Sequence, residues 1–146
     1  MKIKTLITFV FAVLSLSISA QKNPDDLLGK WVHEDATARF EFFKTGNTYN
    51  AKIIWLAKPK NENGELKLDK NNSDKKLRNR PILGMVLLTG LQFSSNNSIW
   101  NDGKLYTPER GETLACKIKL NTKNELALTV SKSIFSSTKK WMRYDK

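Results

Sequence analysis

SIWNDGKLYTPERGETLACKIKL, residues 98 to 120, holds both of the signals that decide the fold. In its second half, Leu114, Cys116, Ile118 and Leu120 fall at alternate positions, with Lys117 and Lys119 between them. Successive side chains of a strand point to opposite faces, so this pattern predicts a strand buried on one side. In its first half, Asn101-Asp102-Gly103 has the chemistry of a tight hairpin, because Gly accepts positive φ and Asp bonds its own backbone. Pro108 and Gly111 mark a second turn. The stretch therefore reads as three short antiparallel strands joined by two turns.

The same alternation recurs on both sides of it. Ala38, Phe40 and Phe42 share one face of TARFEFFK, and Tyr49, Ala51, Ile53, Trp55 and Ala57 align in TYNAKIIWLA. Leu126, Leu128 and Val130 do so in ELALTVS, and turn residues cluster at 44 to 48, 61 to 65, 94 to 97 and 121 to 125. Two segments depart from this rhythm. RPILGMVLLTGL (80 to 91) is apolar almost throughout, and Pro81 at its start with Gly90 near its end predicts one short helix near 81–89; a buried strand is the rival reading. Residues 58 to 80 carry eight basic and four acidic side chains and almost nothing apolar, a long polar surface excursion. About eight short strands with regular turns give an all-β fold, a small antiparallel up-and-down barrel. Closure removes the exposed sheet edges, and eight strands enclose an interior that is either just filled or able to hold one small ligand.

The chain opens MKIKTLITFVFAVLSLSISAQ, a basic start, an apolar run and small residues ending at Ala20. Residues 1–20 read as a signal peptide cleaved between Ala20 and Gln21, leaving 21–146 as a single barrel domain. The run is shorter than the ~20 apolar residues that span a bilayer. No cysteine follows it, which argues against a lipid anchor. The expected location is periplasmic or secreted. Of the 146 residues, 25 are Lys or Arg and 14 Asp or Glu, a formal charge of +11. That excess is mostly Lys scattered singly, which reads first as a solvated surface; it also favours acidic partners such as anionic lipid headgroups, acidic glycans or another acidic envelope component, and export makes nucleic acid the least plausible. Cys116 is the only cysteine, so no internal disulfide forms, and its alternation position predicts a buried, inert thiol.

DDLLGKWVHED, LDKNNSDKKLRNRPILGMVLL, SIWNDGKLYTPERGETLACKIKL and KKWMRY together resemble an exported bacterial family known only as DUF2147, a domain of unknown function. LRNRPILG, WNDGKLYTPERG and the closing WMR are the most specific parts. The chain departs from the family pattern where LDKNNSDKK lacks the usual prolines and where Leu114 replaces a Tyr. The resemblance implies a lipocalin-like barrel and no settled activity. GKW at 29 to 31 is similar to the Gly-x-Trp that opens lipocalin barrels, in which an Arg of the last strand lies over the Trp ring. Arg143 is the matching residue, and contact between Trp31 and Arg143 is expected.

Catalytic chemistry finds little support. His33 is the only histidine, so it has no second imidazole or thiolate to complete a zinc site, and no Gly-x-Ser-x-Gly occurs. DKNNSD (69 to 74) has alternating oxygens, but Asp74 stands where a calcium loop needs Gly and Arg80 where it needs Glu. No cofactor motif, metal site or triad is present, and carboxylates such as Asp69, Asp102 and Glu109 show no spacing that pairs them. Arg78 and Arg80 form the densest guanidinium locus, suited to an anion at the barrel mouth or to tying the long loop to backbone carbonyls or to Asp69 and Asp74. Trp100 and Tyr106 would rim a pocket at one end if their strands pair across the turn between them, while Trp55 and Trp141 are expected in the core. The candidate ligand-binding set is thus Trp31, His33, Arg78, Arg80, Trp100, Tyr106 and Arg143. Two functions fit: a barrel holding a small, partly apolar or anionic molecule, or a filled barrel whose basic surface meets an envelope component. Interior volume separates them.

Overall fold

The computed structural model describes residues 22 to 145; the signal-peptide reading of 1–20 lies outside them. Eight antiparallel strands follow one another around a closed barrel. They are β1 (Gly29–His33), β2 (Ala38–Thr45), β3 (Thr48–Leu56), β4 (Val86–Ser94), β5 (Ile99–Thr107), β6 (Glu112–Thr122), β7 (Glu125–Lys132) and β8 (Phe135–Arg143). The seam is the β1–β8 pairing, in which Trp31 stands opposite Arg143 and His33 opposite Trp141. Single 3-10 turns occupy Pro24–Leu27 and Lys75–Leu77.

Alternation sets which side chains face inward. On β6, Cys116, Ile118 and Leu120 are buried while Lys117 and Lys119 are exposed. Towards the end where β1 begins, Leu27, Trp31, Leu91, Trp100, Ile118 and Leu126 are all fully buried, so that half is packed solid. The connections at 34–37, 57–85, 108–111 and 133–134 gather at the opposite end.

Three sequence expectations fail here for identifiable reasons. Residues 98 to 120 make two strands and one turn, since Asn101-Asp102-Gly103 lies inside β5. Trp100 pairs with Ile118 and Gly103 with Cys116, so β5 has one extra residue against β6. That is a β-bulge, which needs the same φ > 0 as a hairpin turn; Asp102 supplies it at 60°. Gly103 is obligatory, because a Cβ there would come within 2.6 Å of Leu91 and 2.7 Å of Cys116 Sγ.

No helix forms near 81–89. Residues 82–85 turn, and β4 runs from Val86, because Ile53 on β3 bonds the backbones of both Gly84 and Met85. Gly90, at φ 77°, opens a second bulge, and Asn50 Oδ1 accepts its N–H at 3.0 Å. Trp55 is no core residue either: it is 37% exposed and lies under the Arg39 guanidinium at 4.3 Å. Trp141 is buried and stacks on Phe40, with ring centroids 4.0 Å apart.

Candidate functional site

The end of the barrel where the chain enters is sealed. The turn Pro24–Leu27 is capped by Asn23 and caps the barrel in turn. Trp31 Nε1 donates to the Leu27 carbonyl at 3.0 Å. The Arg143 guanidinium lies over the Trp31 ring at 4.1 Å. Its three nitrogens donate to three carbonyls: Nε to Lys123 and Nη1 to Leu28 at 2.9 Å, and Nη2 to Asp26 at 2.6 Å. Gly29 at φ 106° leaves room for this, since a Cβ would stand 3.2 Å from Nη1. Tyr49 adds a hydrogen bond from its hydroxyl to Asp25 at 2.6 Å. The Tyr49 and Lys44 bonds hold the Asp25 carboxyl below its ordinary range. Trp31 and Arg143 are therefore closure residues, and they touch as the sequence predicts.

The opposite half holds a cavity of about 250 Å³. Apolar walls come from Phe40, Ile53, Ile82, Leu87, Leu105, Leu128 and Val130, and Trp141 contributes a flat indole. Polar groups are fewer: His33, Thr37, Tyr106, Thr107, Glu109 and Lys139. Trp141 Nε1 is buried without a hydrogen-bond partner. A cleft of about 360 Å³ shares Thr37, Ala38, Leu56, Ile82 and Glu109 with the cavity and leads outward past Lys58 and Lys67. Apolar walls with a small set of placed polar groups are what small-molecule pockets have in common.

The 57–85 connection forms one side of this mouth and is fastened by buried polar groups. Asp69 is fully buried. It accepts from the Tyr106 hydroxyl at 2.6 Å, from Asn72 at 2.7 Å, and from Arg80 Nε and Nη2 at 2.9 Å each. Burial pushes this carboxyl up, but bonds from Tyr106, Asn72 and Arg80 outweigh it and hold it low. Burial, together with the Asp69 bond, raises the Tyr106 phenol. Arg78 Nε donates to the Asn72 carbonyl at 2.7 Å. Asn71 donates to the Glu109 carbonyl at 2.8 Å, and its own carbonyl lies where a Cβ of Gly111 would be.

The predicted site residues thus separate. His33 and Tyr106 line the cavity; Arg78 and Arg80 do not, because both guanidiniums fasten the excursion to itself. Trp100 lies deep in the filled half beside Phe93 and Tyr49. It does not meet Tyr106, which stands six residues along the same strand, about 20 Å away at strand rise. His33 Nδ1 lies 2.7 Å from Asp35 Oδ1. The Thr37 hydroxyl first, then its N–H and His33, hold the Asp35 carboxyl down to about 2 against burial. Sequence reasoning missed Lys139 and Trp141 as cavity residues. The signal was present, since alternation back from Trp141 puts Lys139 on its face. Lys139 Nζ is 3.6 Å from Glu34 across the seam.

A family model described as "Uncharacterized protein conserved in bacteria (DUF2147)" matches residues 29–143. The chain belongs to this family. Among solved structures, the chain is similar to protein HP1028 from the human pathogen Helicobacter pylori, described as belonging to the lipocalin family. It is 25% identical, with a TM-score of 0.70, over 82% of this chain and 84% of that one. No curated protein matches the chain. This DUF2147 member is accordingly a lipocalin-like, eight-stranded closed barrel.

Proposed function

We propose that this DUF2147 protein is an exported, non-enzymatic barrel that binds one small, mostly apolar molecule in its open-end cavity. One observation carries the reading: a cavity of about 250 Å³ walled mostly by apolar side chains, among them the flat indole of Trp141. The volume is just under the ~300 Å³ at which drug-sized pockets begin, so the ligand is small. Lys139 gives the lining its one ammonium, at the rim, and so favours a ligand with its acidic or polar end outward and its apolar end against Trp141. A solidly filled barrel fits only the half around Trp31 and Trp100.

The test is titration with anilinonaphthalene sulfonate, read by probe emission and tryptophan quenching. Native mass spectrometry of protein taken from its own cells looks for a co-purifying molecule. Val130→Trp fills the cavity near its mouth and is expected to abolish probe binding, while Trp141→Phe replaces the indole with a smaller ring, removes apolar wall and weakens it. Equal binding by wild type and Val130→Trp, or no adduct and no probe binding at all, refutes the reading. Export is tested separately: the periplasmic protein begins at Gln21.

A further inference from the structure

The large apolar side chains left exposed are unevenly distributed. Leu66, Leu77, Leu83, Val86, Ile134 and Phe135 belong to the connections and strand starts at the open end. Trp55, at the open end of β3, lies under Arg39, and only Met142 of this set sits near the sealed end. Ile134 and Phe135 are the extreme case, 88% and 75% exposed. They form the tip of the β7–β8 hairpin, where Lys132 pairs with Phe135 and Ser133 takes φ 55°. Tips of this kind ordinarily carry Gly, Asn or Asp. Four other turns obey that rule, with TGNT, SSNNS, PERG and NTKN. Two adjacent large apolar groups held in water add nothing to the fold, and exposed patches of this kind mark contact sites.

Cations surround the same end. Lys132 and Lys139 stand on the arms of the hairpin, and Lys75, Lys76 and Arg78 surround Leu77 on the excursion. Lys139 faces Glu34 in an exposed pair that holds it weakly, while Lys132 faces the half-buried Glu112 with most of its own side chain in water. Across 58 to 80, basic residues outnumber acidic ones eight to four.

We infer that this rim is a docking surface for an anionic lipid bilayer, with Ile134 and Phe135 among the acyl chains and the rim lysines on headgroup phosphates. Buried apolar area and attraction to anionic lipid together give interfacial binding. A protein partner requires roughly 800 Å² of matched surface on each side. A protruding two-residue tip with flexible lysines around it offers no such surface, and suits a fluid medium that closes around it. Ile134 and Phe135 line no part of the cavity, so the inference is independent of what the cavity holds.

The test is co-sedimentation of the purified mature protein with vesicles of phosphatidylcholine containing phosphatidylglycerol, and with phosphatidylcholine alone. Binding is expected only to the anionic vesicles. The double variant Ile134→Ser/Phe135→Ser weakens it at least about tenfold, as burial of two such side chains implies. High salt also weakens it. The substitutions lie at an exposed tip, and unchanged circular dichroism and thermal midpoint establish that the variant is folded. Binding that survives the double substitution, or no binding to either vesicle, overturns the inference. A concentration-dependent dimer that the double variant abolishes also overturns it, because the occupant is then a second copy. Anilinonaphthalene sulfonate titration of the same variant, expected unchanged, keeps this outcome distinct from any failure of the cavity reading.

Discussion

Replacing Arg143 by Met tests whether the sealed end rests on a guanidinium rather than on a strand pairing that any residue could make. The side chain donates to the carbonyls of Asp26, Leu28 and Lys123 and covers Trp31 at 4.1 Å. Hydrogen bonds from a charged donor contribute about 1.5–3 kcal/mol each. Those carbonyls border an open cleft with Asp25 and Asn124, so water replaces part of each bond in the variant. About 1 kcal/mol per bond remains, and the cation–π contact adds on the order of 1 kcal/mol. The expected loss is about 3–4 kcal/mol, a large fraction of the stability of a domain this size. It lowers Tm by roughly 10–15 °C. Urea denaturation followed by tryptophan fluorescence, with an unchanged m-value, measures it. Arg143→Lys keeps the charge but cannot reach three carbonyls from one ammonium, and recovers less than half. A loss below about 1 kcal/mol, or full recovery by Lys, would refute the assignment.

Three further outcomes follow from the geometry. Asp69→Asn leaves Arg80 and Tyr106 without their carboxylate and costs about 2 kcal/mol, the low side for a broken buried pair because Arg80 is partly exposed. The folded Asp69 carboxyl lies below its unfolded value. Its contribution is therefore full above about pH 4 and lost as pH falls through the folded pKa, so acid titration of stability is shallower in Asp69→Asn. Gly111→Ala forces a Cβ onto the Asn71 carbonyl, at a φ of 65° that L side chains resist. It frees the 57–85 connection, which limited proteolysis detects as faster cleavage there while the barrel persists. Burial raises the Cys116 thiol to about 12. A thiol reagent at neutral pH therefore modifies it only at the rate of unfolding, and denaturant accelerates the reaction.

How much of this was legible depended on the range of the interactions involved. Alternation is written into each strand, so the barrel and the inward faces of β2, β6 and β7 are readable from sequence. The Trp31–Arg143 contact was available only through resemblance, since 112 positions separate the partners. Asn101-Asp102-Gly103 misled because a bulge and a hairpin demand the same backbone; pairing of Trp100 and Gly103 to a single neighbouring strand decides between them. Pro81 and Gly90 misled in the same way, each having a strand-end or bulge role that helix rules also reward. For Arg78 and Arg80 the sequence offered an anion clamp or a tie of the loop to itself, and only the fold decides for the tie, by burying Asp69 and the Asn72 carbonyl beneath them in a segment that composition marks as surface.

The seam joins residues from the two extremities of the described chain, whereas every other neighbour in the barrel is the next strand along. Hairpins between consecutive strands close short loops and form early; the β1–β8 pairing closes the longest loop and waits. Until Arg143 is available, the earlier strands can make only a curled ribbon with two bare margins. Synthesis must therefore deliver nearly the whole chain before those margins disappear, and the interval before that is when the polypeptide is most exposed to association with others of its kind.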